Sequence, residues 1–104
     1  MSTSFNYIDY VLNQIEEPYF VRYKKMFGEY MVYVDEKPTF LVCDNVVFVK
    51  IHPSIEGLMQ NAEQGFPYDG AKLHYVLDID DKILVKNVID AILPHLKVPV
   101  KKKK

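Results

Sequence analysis

Phe5, Ile8, Leu12 and Ile15, with Val11 among them, recur at three- and four-residue steps and predict an amphipathic helix over residues 4–17. Asn6, Asp9, Asn13 and Glu16 occupy its polar side. Thr3 or Ser4 supplies the N-cap, and Pro18 ends the helix because the residue before a proline is pushed out of the α region. From residue 20 the pattern changes to strand-like runs at 20–26, 30–34, 38–43 and 46–51, broken at Gly28, Asp35-Glu36 and Asp44-Asn45. Asp and Asn tolerate the positive φ that a two-residue hairpin requires.

That last hairpin fixes a register. With Cys43 opposite Val46, one face carries Phe40, Val42, Val47, Val49 and Ile51, wholly apolar and destined for the helices. The other carries Thr39, Leu41, Cys43, Val46, Phe48 and Lys50, too apolar for bare solvent yet interrupted by polar groups. Farther on, Ile55, Leu58, Met59 and Ala62 are in phase for a short helix over 53–64, with Pro53 at its start and Gly65 at its end. A loop follows over 66–72 with Asp69-Gly70 as its turn, then a fifth strand over 73–78. A final helix from 81 to about 93 is capped by Asp80 and stapled by Ile79 and Leu84, with Lys82, Lys86 and Asp90 wet. Its apolar arc is Ile83, Val85, Val88, Ile89, Ile92 and Leu96, and Pro94 ends or kinks it. The expected fold is α+β: an antiparallel sheet of about five strands packed by three helices, in the order α-β-β-β-β-α-β-α.

At 104 residues the chain holds one domain, expected over 1–97, followed by a flexible lysine-rich tail over 98–104. Net charge is −1, but without Lys101–Lys104 the body has 9 basic against 14 acidic residues, a net −5. An acidic body is not the profile of a dedicated nucleic-acid-binding domain. The polar start, the absence of a roughly 20-residue apolar run and the single cysteine lead to an expectation of a cytoplasmic protein without membrane association.

Chemistry is sparse along this chain. Arg22-Tyr23-Lys24-Lys25 reads either as a phosphate-contacting strand or as an edge protected by charge, and the acidic body favours the second. Lys50 either snorkels to the sheet edge or pairs with a carboxylate such as Glu29. His52, His74 and His95 lack metal-ligand spacing, and Cys43 beside Asp44 reads as a small buried hydrophobe. There is no phosphate-binding glycine loop, nucleophile elbow or dinucleotide fingerprint, so no catalytic, cofactor or metal residues are assigned.

Two runs are distinctive: Met26-Phe27-Gly28-Glu29-Tyr30 and Pro67-Tyr68-Asp69-Gly70-Ala71-Lys72. With Arg22, Lys25, Tyr33, Asp44, Lys50, Asp80-Asp81 and the lysine-rich end, they resemble the N-terminal domain of the TfoX/Sxy family of bacterial competence regulators. The longer regulators carry a second, C-terminal domain that is not expected here, and Asp35-Glu36-Lys37 lacks a glycine common in the family. The resemblance implies a fold similar to YgaC-like and secretion-chaperone-like domains. It also implies a non-enzymatic regulatory role exerted through a protein partner in the transcription machinery. The interaction surface expected on this basis is Arg22, Lys24, Lys25, Glu29, Tyr30, Lys50, Tyr68 and Lys72. Weak nucleic-acid binding through the basic strand and lysine tail is the alternative, and a homodimer through the mixed sheet face is also expected.

Overall fold

The structure, a computed structural model, describes residues 4–15, 18–26 and 29–98. Thr3, Glu16, Glu17, the Phe27-Gly28 centre of the first distinctive run and the tail from residue 99 lie outside the described residues. Helix α1 (Phe5–Gln14) begins where Ser4 Oγ accepts the Tyr7 N–H at 3.1 Å. It is shorter than predicted, because Ile15 is already extended, which turns its side chain into the core.

Strands β1 (Val21–Met26), β2 (Glu29–Val34), β3 (Lys37–Cys43) and β4 (Val46–Lys50) form the predicted meander. Both two-residue turns place both central residues in the left-handed region: Asp35 and Glu36 at φ 51 and 69°, Asp44 and Asn45 at 53 and 59°. This is the hairpin geometry whose twist matches that of the strands. The first turn is braced from β1: Asp35 N–H donates to Phe20 O at 2.7 Å, and Phe20 N–H to Asp35 Oδ1 at 2.9 Å. Cys43 does pair with Val46. Pro38, which has no N–H for a ladder, is accommodated by a register shift between Val32 and Tyr33, with Thr39 donating its hydroxyl to Lys37 O at 2.9 Å.

The middle helix does not form. Residues 53–64 give a 3₁₀ turn at Pro53–Ile55, then further hydrogen-bonded turns through residue 61 and the start of another strand. The predicted spacing still operates, since Ile55 and Met59 are both in the core while Leu58 is exposed. Two anchors around Gly57 are too few to sustain a helix against its nucleation cost. The segment instead reaches β5 (Gln64–Gly65), a two-residue strand with no propensity to announce it, before β6 (His74–Val76). The sheet order is β1-β2-β3-β4-β6-β5, antiparallel throughout, so among the described residues six strands and two α-helices replace five and three.

Helix α2 (Lys82–Ile92) is capped one residue later than predicted. Asp81 Oδ1 accepts the Leu84 N–H at 3.0 Å, while Asp80 accepts the Tyr10 hydroxyl of α1. With the cap at Asp81 the position before it is Asp80, so Ile79 and Leu84 are out of staple register. The helix gives way at Leu93–His95 to a 3₁₀ turn holding Pro94. Its buried arc is Val85, Val88, Ile89 and Ile92; Ile83, expected inside, is 75% exposed. Both helices and the turns after Pro53 pack on one face of the sheet, where Phe40, Val32, Val42, Val47 and Val49 form the centre of the core. Ile51, predicted to join them, is exposed because the strand ends at Lys50.

Candidate functional site

The two faces of the sheet have different fates. Met31 pairs with Leu41, Leu41 with Phe48, and Phe48 with Val76, so an apolar row crosses four strands at one level. Side chains alternate along a strand, so this row points away from Val32, Phe40 and Val49 and from the helices. Phe48 is only 7% exposed and Cys43 3%, yet neither belongs to the core cluster. The Phe48 ring is shielded within its own face: a Cβ on Gly65 would stand 3.6 Å from its Cε1, and His74 meets it edge-on at 6.4 Å. Beside it lies a hollow of about 180 Å³ bounded by Met31, Pro38, Leu41, Phe48, Lys50 and Leu96.

Cations stand around this row. Lys24 pairs with Met31 and extends the row onto β1; Lys50 pairs with His74 at the opposite side. Arg22 is occupied, with its guanidinium 4.3 Å from the Tyr33 ring centroid and donating to Glu36 Oε1 at 3.0 and 2.8 Å. Lys24 and Lys25 have no carboxylate within ion-pair distance among the described residues.

The eight expected surface residues therefore separate. Arg22, Lys24 and Lys50 share the face opposite the helices, while Lys25 points to the helix side at the edge of β1. Tyr30 is a correction: it is 5% exposed, part of the core, and meets Tyr23 edge-on at 5.3 Å. Glu29 braces a turn, its Oε1 accepting the Asp44 N–H at 3.0 Å. That places it beside Cys43, at the end of the sheet away from Lys50, so the expected Glu29–Lys50 pair does not form. Tyr68 and Lys72 lie in the exposed β5–β6 loop, far across the sheet from β1. Lys72 reaches the Lys50 end of the sheet through its carbonyl, 2.7 Å from His74 Nδ1.

Met31 and Val76 were missed as members of the row. Carrying the β3–β4 register onto the flanking strands would have found Met31; nothing in the sequence marks Val76. Also unforeseen is the approach of His52 to His95, ring centroids 4.7 Å apart. His52 Nδ1 accepts the Ser54 N–H at 3.0 Å and so caps the 3₁₀ turn. Among the described residues no three His, Cys, Asp or Glu side chains gather as a metal site, and no helix is long and apolar enough to cross a membrane. A wider depression of about 420 Å³ runs along residues 57–63 to Val76, Asp78 and Leu84; Glu63 and Asp78 are its ionisable side chains.

Burial, with Glu29 and then Asp44 nearby, pushes the Cys43 thiol up to about 11. The native state thus favours the protonated thiol, and the unfolded chain loses that proton first as pH rises. The stabilisation is complete below the ordinary thiol range and is lost between about pH 9 and 11. Urea titrations should show stability falling across that window in the wild type and a shallower fall in Cys43→Ala, with the native thiol inert to iodoacetamide at pH 8. A thiol alkylated at pH 8 without unfolding would contradict this.

Over 78 residues the chain is 40% identical to the "Uncharacterized 12.7 kDa protein in trpE 5'region" of Spirochaeta aurantia, an alignment covering 75% of this chain and 68% of that protein. No family model matches the chain, and no solved structure matches it.

Proposed function

The chain belongs to the same family as the Spirochaeta aurantia protein, and from the residues themselves we propose a non-enzymatic regulatory module that acts by protein contact. The carrying observation is the apolar row Met31–Leu41–Phe48–Val76 on the face opposite the helices, bordered by Lys24 and Lys50. An apolar centre with a polar rim is the anatomy of a protein interface. The runs around Met26 and Pro67 that resemble the TfoX/Sxy N-terminal domain support a partner in the transcription machinery. Both runs have structural work here as well, through Glu29 at the Asp44 turn and Gly70 at φ 86° in the β5–β6 loop. A cytoplasmic location belongs to the same proposal.

The test compares wild type with Leu41→Asp, which places a charge at the centre of the row without touching the core. Affinity capture followed by mass spectrometry should recover a polymerase component or transcription factor with the wild type. Recovery should fall about thirtyfold in the variant, since a central contact of an interface is worth about 2 kcal/mol. Loss of no such protein, with the variant still folded, would overturn the reading. A wild-type dimer that Leu41→Asp converts to monomer in sedimentation would assign the face to a second copy instead.

A further inference from the structure

We infer that the free edge of β1 is a strand-addition site for an extended acidic segment of a partner protein. β1 lies at the end of the sheet and, among the described residues, is paired only to β2. Asp35 N–H donates to Phe20 O, and backbone direction alternates along an antiparallel strand. Phe20, Arg22, Lys24 and Met26 therefore bond to β2. The N–H and C=O groups of Val21, Tyr23 and Lys25 face outward, the ladder that an incoming strand needs.

The side chains beside that ladder define the occupant. Lys24 stands on the face opposite the helices and Lys25 on the helix side, neither with a carboxylate partner among the described residues. Phe5, 57% exposed, packs edge-on against Tyr23 with ring centroids 6.3 Å apart, leaving an aromatic step at the middle of the edge. Arg22 is already engaged by Glu36 and Tyr33. Residues directly opposite one another share a face, so an antiparallel partner reads, from its N-terminus, acidic opposite Lys25, acidic opposite Lys24, apolar opposite Tyr23, any residue opposite Arg22, and apolar opposite Val21. A second copy of β1 is a poor occupant, because antiparallel pairing about Tyr23 would set Arg22 of each copy against Lys24 of the other. The same cations that block self-pairing select an acidic strand. This edge shares Lys24 with the border of the Leu41–Phe48 face but none of its apolar row, and Leu41→Asp should leave it intact.

The probe is a blocked decapeptide with the core Glu-Asp-Val-Thr-Val, titrated into the full chain by NMR. In the free protein the amides of Val21, Tyr23 and Lys25 should exchange rapidly while those of Arg22 and Lys24 are protected. The peptide should protect the first three. Its affinity should fall at least about tenfold on K24E/K25E and comparably when both Val residues, which lie opposite Tyr23 and Val21, are N-methylated, since the first change removes both charge pairs and the second removes backbone donors to β1. The N-methylated peptide keeps the test independent of how the double variant folds. No binding, or binding without protection of Tyr23 and Lys25, overturns the proposal. Equal displacement by a single-stranded oligonucleotide, with steep salt dependence and unprotected amides, would overturn it in favour of a phosphate-binding strand.

Discussion

Phe40→Ala should cost about 3–5 kcal/mol of unfolding free energy, a large share of the roughly 5–15 kcal/mol that holds a domain together. Phe40 is fully buried and the largest wholly enclosed side chain among the described residues, with Val32 across one ladder and Val49 across the other. Truncation leaves a void between helices and sheet that two rigid hairpins resist closing, so the cavity term adds to the transfer term. Phe48→Ala removes the same atoms from β4 on the opposite face and should cost less, about 1.5–3 kcal/mol, because water fills the space and no cavity remains. Urea melts with unchanged slope and separated midpoints would show the difference. Equal losses would mean that the Leu41–Phe48 face is covered in the free protein, which would remove the basis for an interface there.

The same contrast explains how much of the fold the sequence disclosed. The meander was legible because Asp35-Glu36 and Asp44-Asn45 sit between apolar runs, and a two-residue turn dictates pairing outright. From Cys43 opposite Val46 the core face followed for Phe40, Val42, Val47 and Val49, and failed at Ile51, beyond the end of β4. What failed was governed by distant partners. Residues 53–64 have helical spacing, yet Ile55 and Met59 satisfy the core from a 3₁₀ turn and looser turns. β5 exists only because β6 passes beside Gln64 and Gly65. Asp80 and Asp81 are equally good caps by type, and the choice was made by Tyr10 on another helix.

The candidate site was legible by composition and not by geometry. A cationic strand was evident, but only the pairing shows that Lys24 and Lys25 flank an open backbone edge while Arg22 is tied to Glu36. Tyr30 illustrates the opposite error. It stands next to Glu29 in a distinctive run, and adjacency suggested a shared surface. Neighbours in a strand point to opposite faces, so one braces a turn while the other fills the core.

Asp44→Pro should be as damaging as a large core truncation, at least about 3 kcal/mol, although Asp44 is exposed. Its φ of 53° is out of reach for proline, and its N–H, donated to Glu29 Oε1 at 3.0 Å, would be lost. Both faults strike the turn that sets Phe40 and Val42 against Val49 and Val47. Asp44→Gly keeps the N–H and adopts the same φ freely, so its relief of strain and its added unfolded-state entropy nearly cancel, within about 0.5 kcal/mol. Comparison at one position thus separates backbone from side chain, and thermal melts of the pair decide it. Asp44→Gly also removes the smaller of the two carboxylate influences on Cys43. The thiol should stay well above its ordinary range, because burial is the dominant cause; a thiol that titrates normally in this variant would show that charge, not desolvation, holds the proton.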